Sequence, residues 1–287
     1  MEVFNLLLNY LPFFKVASDL LFQTFFFLLL VANLIDWQPN DEGSGTGMGK
    51  YGTCCTEMDI FEANNMAYSY TPHVCTNEGP LRCNGTECGD INDDDPNSRY
   101  AGVCDKDGCD FAPYRLGNTD FYGVGSDFTI DTSKKFTVVT QFITDDGTDD
   151  GDLIEIKRFF VQDGKTVENP TVDIDGQKFS SVTDDFCKAE KAAFGDTDAF
   201  TKNGGLKAMG DAMSRGMVLV LSLWDDNYAN MLWLDATYPV NSTDPGALRG
   251  PCDVNTGDPT TMRDEVPNSS VAYSNIKFGE IGSTFSM

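Results

Sequence analysis

The sequence predicts an all-β domain of sandwich type with long disulfide-bound loops and a few short helices, and three observations carry that expectation. β-branched and aromatic runs bounded by turn residues recur through the chain after residue 52. Six of the nine cysteines fall between positions 54 and 104, which marks a stapled, loop-rich segment. No internal repeat or long linker interrupts the pattern, so one layered domain suffices for 287 residues that are 41% hydrophobic.

Residues 1–30 stand apart from the rest. Apolar stretches at 4–14 and 20–35 flank a polar break at 15–19, and the chain begins Met1-Glu2 where a signal peptide would be basic. The second run, about sixteen residues, is short for a membrane span of ~20. A signal-like anchor, a piece of core strand and a misassigned start all stay open for this segment, and 31–287 form the globular portion. Residues 36–52 have loop composition. Strands are expected at 54–64, 135–142, 153–161 (ending in the turn Asp163-Gly164), 216–223, 231–235 and 271–278. Helices are expected at 184–194 and 206–214.

Forty-five Asp and Glu against twenty Lys and Arg give a net charge of -25, which repels phosphate backbones and anionic membrane surfaces and argues against a nucleic-acid partner. His73 is the only histidine, so three-histidine zinc sites and the H-E-x-x-H helix are excluded. Acid/base chemistry falls to carboxylates, Tyr or Cys. The spacings Cys83-x4-Cys88 and Cys104-x4-Cys109 superficially resemble a four-thiolate zinc module, but the loops are acidic and the usual knuckle is C-x2-C. Disulfides in an oxidising compartment are the favoured reading, and the sequons at Asn84, Asn241 and Asn268 lean the same way.

Within Cys54-Cys55-Thr56-Glu57-Met58-Asp59-Ile60-Phe61-Glu62-Ala63-Asn64, strand alternation puts Glu57 and Asp59 on one face and Met58 and Ile60 on the other. Glu62 has the wrong parity. One bulge between Asp59 and Glu62 would bring it to the acidic face, with the Cα atoms of Glu57 and Glu62 ~13 Å apart. Glutamates leaning toward each other could then approach the ~5 Å carboxyl separation of retaining glycoside hydrolysis. The plain alternative is three solvated acids in an acidic protein, and spacing alone leaves both open.

The run from Gly52 to Asn64 followed by Thr71-Pro72-His73 resembles the active-site strand of glycoside hydrolase family 7, the fungal and protist cellulases. The resemblance continues through Asp107-Gly108-Cys109-Asp110, Pro113-Tyr114-Arg115-Leu116-Gly117-Asn118-Thr119, Ser222-Leu223-Trp224-Asp225-Asp226, Tyr228-Ala229-Asn230-Met231-Leu232-Trp233-Leu234-Asp235 and Asn275-Ile276-Lys277-Phe278-Gly279. It covers about residues 31–284. It implies a concanavalin-like jelly roll that hydrolyses β-1,4-glucosidic bonds of cellulose or cello-oligosaccharides with retention, without a cofactor or metal. Glu57 would be the nucleophile, Glu62 the acid/base, Asp59 the partner that tunes Glu57, and His73 a neighbour of the acid/base. Arg99, Asp107, Asp110, Arg115, Trp224, Trp233, Tyr238 and Arg249 would bind substrate or product, Trp faces stacking on glucose and charged groups bonding its hydroxyls.

The long loop 75–104, ending Asn97-Ser98-Arg99-Tyr100, resembles the cellobiohydrolase version and not the shortened endoglucanase one, which favours release of cellobiose from chain ends in a tunnel. The implied disulfides are Cys75 with Cys104, Cys83 with Cys88, and Cys109 with Cys187. Cys54, Cys55 and Cys252 are left without partners, and the family's long N-terminal portion has no counterpart here. The chain thus reads as an N-terminally truncated member, expected as written to show little cellulase activity. A secreted, monomeric glycoprotein with no membrane attachment when mature is expected. A lectin-like binding sandwich is the first rival, since architecture does not fix function. A calcium-stabilised domain is the second, suggested by 93–95 and 145–152, although neither run has D-x-D-x-D-G spacing.

Overall fold

The computed structural model describes residues 2–9, 52–90, 94–223 and 225–285. Its strands are β1 Glu2–Asn9, β2 Gly52–Cys54, β3 Glu57–Ala63, β4 Tyr68–His73, β5 Leu81–Cys83, β6 Tyr122–Gly123, β7 Ile130–Asp131, β8 Phe136–Thr144, β9 Leu153–Gln162, β10 Lys165–Glu168, β11 Val172–Ile174, β12 Gln177–Phe179 and β13 Val271–Lys277. The helices are α1 Asp184–Phe194, α2 Ala199–Lys202, α3 Gly205–Arg215, α4 Leu232–Asp235 and α5 Pro259–Glu265.

The main sheet has the order β10-β9-β8-β1-β13, with β8, β9 and β10 antiparallel and β1 parallel to both of its neighbours. Glu2–Asn9 therefore runs as a strand between β8 and β13. Residues 31–40, where the resemblance begins, and the second apolar run lie outside the described residues. Asp163 and Gly164 both take positive φ, 52° and 74°, the mirror-image turn that suits the right-handed twist of the β9–β10 hairpin.

The β3–β4 hairpin packs over this sheet. Phe61 and Tyr68 bring their rings to 6.3 and 5.2 Å from Phe160, and Tyr122 and Phe136 complete the aromatic layer between the two. Offset and edge-on rings fill such a layer densely. Helix α1 has clear end signals: Thr183 Oγ1 accepts from the Phe186 amide, Asp184 and Asp185 sit at the positive end, and Gly195 closes the helix at φ 71°. The Asp184 carboxylate also accepts from the Leu206 amide, tying the start of α3 to α1.

Two expected strands differ in the structure. Residues 216–223 form no strand, because their backbone finds no ladder partner among the described residues. Extended alternation survives: Met217 and Leu219 pack on the core while Val218 and Val220 are exposed. Residues 231–235 become the helical turn α4. Asp226 is the cause, its carboxylate accepting from the amides of Tyr228, Ala229 and Met231 and bending the chain through Asn230 and Met231 at φ 54° and 61°. Local capping of this kind overrides the β-propensity of a short apolar run.

Disulfides join Cys75 to Cys104, Cys83 to Cys88 and Cys109 to Cys187, while Cys54, Cys55 and Cys252 are thiols. The four sulfurs of the zinc-like spacing are thus divided among three separate bonds. The 145–152 run is the exposed β8–β9 connection, with Asp146 accepting from Thr148 and Asp145 from the Asp152 amide. Among the described residues no helix is long and apolar enough to cross a membrane.

Candidate active site

Strands β3 and β4 pair with Glu57 opposite His73, Asp59 opposite Thr71 and Glu62 opposite Ser69. Between the last two pairs, two residues of β3, Ile60 and Phe61, stand opposite one of β4, Tyr70, which defines a bulge. The bulge sits where the parity argument requires one, so Glu57, Asp59 and Glu62 share a face with Ser69, Thr71 and His73. Met58, Ile60, Phe61, Ala63, Tyr68 and Tyr70 turn to the core. Pro72 is tolerated because, among the described residues, β4 has a strand ladder only with β3, and on its other side the Pro72 carbonyl accepts from the Cys109 amide without needing a donor in return.

His73 is 3% exposed, and its two ring nitrogens meet different partners. Nδ1 donates to the Asp105 carbonyl at 3.0 Å, and Nε2 faces Asp59 Oδ2 at 3.2 Å. With the first contact fixing a proton on Nδ1, a neutral ring would turn a lone pair toward a carboxylate, so the second proton is strongly favoured. Burial pushes the imidazole down, but the Asp59 hydrogen bond and charge, then the charges of Asp105 and Glu57, outweigh it and raise His73 to about 10. Gly108 closes over this pair at φ 66°: a Cβ there would stand 2.3 Å from Thr71 Cγ2 and 2.7 Å from His73 Cε1.

Glu62 Oε2 accepts from Ser69 Oγ at 3.2 Å and Thr71 Oγ1 at 3.3 Å. Desolvation and the charges of Asp59 and Glu57 push this carboxyl up to about 8, against the pull of His73 and Ser69. Glu62 is thereby held toward its protonated form at neutral pH, the state in which a carboxyl can act as a general acid.

A second set of charges lies along the helical side. Arg115 is 7% exposed and donates from Nη1 to Asp110 at 2.7 Å and Glu190 at 2.6 Å, from Nη2 to Asp196 at 2.7 Å, and from Nε to the Gly246 carbonyl. Its guanidinium also lies 4.2 Å from the Phe194 ring centre. Arg99 pairs with Asp107, and Lys191 joins the groups, its charge acting on Asp105, Asp107 and Asp110. Burial pushes Asp107 and Asp110 up, and Arg99 and Arg115 respectively more than reverse that. Arg249 belongs to the same cluster: burial first, then Arg115, lowers it, while Asp110, Asp196 and Glu190 support its charge. Tyr238 lies near Arg99, close enough to support its charge, and its amide donates to the Ala247 carbonyl.

Trp233 Nε1 donates to Asp226 Oδ2 at 3.0 Å, so the aspartate that shapes α4 also fixes this ring. Trp224 lies outside the described residues. The structure thus gathers Glu57, Asp59, Glu62 and His73 in one group, and Arg99, Asp107, Asp110, Arg115 and Arg249 in another, with Asp105 and Lys191 between them. Sequence reasoning missed Glu190, Lys191, Asp196, Asp105 and Asp226. A signal existed for the first two: they fall on the Phe186-Cys187 stripe of α1, where a buried helix face is otherwise apolar.

Comparison with known proteins agrees with this geometry. The family model described as Glycosyl hydrolase family 7 matches residues 22–285, and the chain belongs to that family, whose fold is a β-sandwich jelly roll. It is 53% identical over 254 residues to an exoglucanase, GH7B, of Limnoria quadripunctata, covering 88% of this chain and 54% of that protein. A cellobiohydrolase structure from Daphnia pulex is 49% identical with a TM-score of 0.74, over 80% of this chain and 52% of its own. A Melanocarpus albomyces cellobiohydrolase in complex with cellotetraose is 40% identical with a TM-score of 0.76, over 88% and 56%. The chain spans about half the length of these relatives.

Proposed function

We propose that the carboxylate face of β3 hydrolyses β-1,4-glucosidic bonds of cellulose or cello-oligosaccharides with retention, releasing cellobiose from chain ends. The observation that carries this reading is the bulge, which sets Glu57 and Glu62 on one face with Asp59 and His73 between and opposite them. Glu57 attacks the anomeric carbon while Glu62, held protonated by burial and by neighbouring negative charge, gives its proton to the departing glycosidic oxygen. In the second step Glu62, now a carboxylate, takes a proton from water, whose oxygen displaces Glu57 and regenerates both groups. Asp59 lies on the face of Glu57 and holds His73, whose positive charge favours an ionised Glu57.

The Arg99–Asp107 and Arg115–Asp110 pairs, with Arg249 and Tyr238, supply hydroxyl-binding groups on the product side, and Trp233 supplies a stacking face. Chain-end action is supported by the relatives' own descriptions as exoglucanase and cellobiohydrolase and by the long 75–104 loop, tied by Cys75–Cys104 and Cys83–Cys88. Secretion is supported by the three disulfides and by Asn84, Asn241 and Asn268, all exposed as glycan acceptors must be. A monomer with residues 31–287 as catalytic-domain sequence completes the proposal, with little activity on cellulose itself expected of this chain.

The test uses a chromogenic aryl β-lactoside, whose good leaving group and short glycone demand few subsites. Turnover that disappears in Glu57→Gln, with sugar binding retained, is the expected result. Binding without turnover in the unaltered protein would overturn the reading in favour of a lectin-like sandwich.

A further inference from the structure

Arg158 is the largest of the fully buried side chains, 1% exposed in the middle of β9, and it has no carboxylate partner among the described residues. Nε and Nη1 make no hydrogen bond, and Nη2 donates to the backbone carbonyl of Ile60. The guanidinium carbon lies 4.4 Å from the Tyr70 ring centre and 5.4 Å from that of Phe61, so its desolvation is offset by aromatic faces in place of a counter-ion. Tyr68, Tyr70 and Tyr122 are the titratable groups around it. A buried guanidinium held this way is costly to keep as filler, because an apolar side chain of similar volume would serve packing as well or better.

The contact it makes is specific. Ile60 opens the bulge between Asp59 and Glu62, where the ladder is interrupted and a backbone group is released from pairing. A bulge displaced by one residue would reverse the face of every side chain between the old and new positions. We propose that Arg158 is a positioning residue: by binding the Ile60 carbonyl from the opposite sheet it fixes the bulge at Ile60 and Phe61, and so holds Glu62 on the face of Glu57 and Asp59. Its consequence for turnover rests on the reading of Glu62 as acid/base, whereas the effect on the bulge does not.

Arg158→Met keeps volume and removes the donor; Arg158→Lys keeps one donor. Three readings are needed for each: the thermal midpoint, kcat and KM on a cello-oligosaccharide, whose leaving group needs the Glu62 proton, and the ¹³C carboxyl titration of Glu62, assigned through Glu62→Gln. The expectation for Arg158→Met is a midpoint at or above the parent's and a Glu62 titration displaced from the parent's. Its kcat should fall about 100-fold with KM within about threefold, the scale of a misplaced catalytic group. Arg158→Lys should recover at least about a tenth of the parent kcat and restore the Glu62 titration. A Glu62 titration and kcat unchanged in Arg158→Met would overturn the proposal. If Arg158→Met does not fold, Arg158→Lys decides: a folded Lys variant with parental titration supports donation to Ile60, and a displaced one refutes it. Should the parent turn over neither the cello-oligosaccharide nor the aryl lactoside, the glycosidase reading fails while the titration comparison still settles the role of Arg158.

Discussion

Asp59→Asn removes one charge and leaves the shape of the site intact, and its effect on His73 can be worked from the geometry. Asp59 Oδ2 and His73 Nε2 are 3.2 Å apart, which at an effective dielectric near 20 corresponds to an attraction of about 5 kcal/mol. Raising an imidazole from 6.5 to about 10 takes about 5 kcal/mol at about 1.4 kcal/mol per tenfold. The attraction of Asp59 therefore accounts for the elevation, with Asp105 and Glu57 helping to offset the desolvation that opposes it. Without Asp59 that desolvation prevails and the ring becomes neutral below its ordinary value.

Because His73 is the only histidine in the chain, its Cε1–H resonance needs no assignment. Parent protein should keep the imidazolium shift to about pH 9, and Asp59→Asn should titrate below 6.5. The sign carries through to stability. A folded value above the unfolded one means that stabilisation by this pair is fully present below 6.5 and is lost as pH rises toward about 10. Asp59→Asn should abolish that alkaline loss. A parent resonance titrating near 6.5, or an unchanged midpoint in the variant, would refute the reasoning.

Other expectations concern the second glutamate and the supports around it. Activity on cello-oligosaccharides, whose leaving groups need a proton, should fall as pH rises through about 8, because Glu62 must carry a proton to act as the acid; a flat kcat/KM profile from pH 6 to 9 would contradict it. Glu62→Gln should lower turnover of cello-oligosaccharides by about 10²–10⁴-fold while sparing aryl glycosides whose leaving groups need no proton, as a leaving-group series would reveal. Asp226→Ala strips partners from the Trp233 indole and three amides, costing about 1–3 kcal/mol in urea unfolding and raising KM, and an unchanged KM would remove Trp233 from the substrate path. Arg115→Lys cannot serve Asp110, Glu190 and Asp196 together, and a loss of about 3 kcal/mol is expected in the same assay.

What could be read from the sequence was local or set by a short period. The bulge followed from parity, since three acids can share a strand face only if one residue is extra between Asp59 and Glu62. Helix α1 was expected at 184–194 and forms there, with Thr183 and Gly195 as its local end signals. Features that depend on distant partners were hidden. Residues 216–223 have the composition of a strand but no ladder among the described residues, and 231–235 were bent into α4 by an aspartate five residues upstream. Glu190 and Lys191 became site residues only when α1 was laid against Arg115, 75 positions away from Glu190. Arg158 and Ile60 are 98 positions apart, and nothing in either local pattern announces the contact.

The central claim is that Glu57 forms a covalent bond to the sugar. A 2-deoxy-2-fluoro cellobioside with an activated leaving group slows release of the glycosyl-enzyme, so digestion and mass spectrometry can locate the attached sugar. The account predicts a fluoroglycosyl adduct on the peptide bearing Glu57, absent in Glu57→Gln. Consumption of the reagent with no adduct, or with the sugar on another carboxylate, would contradict it.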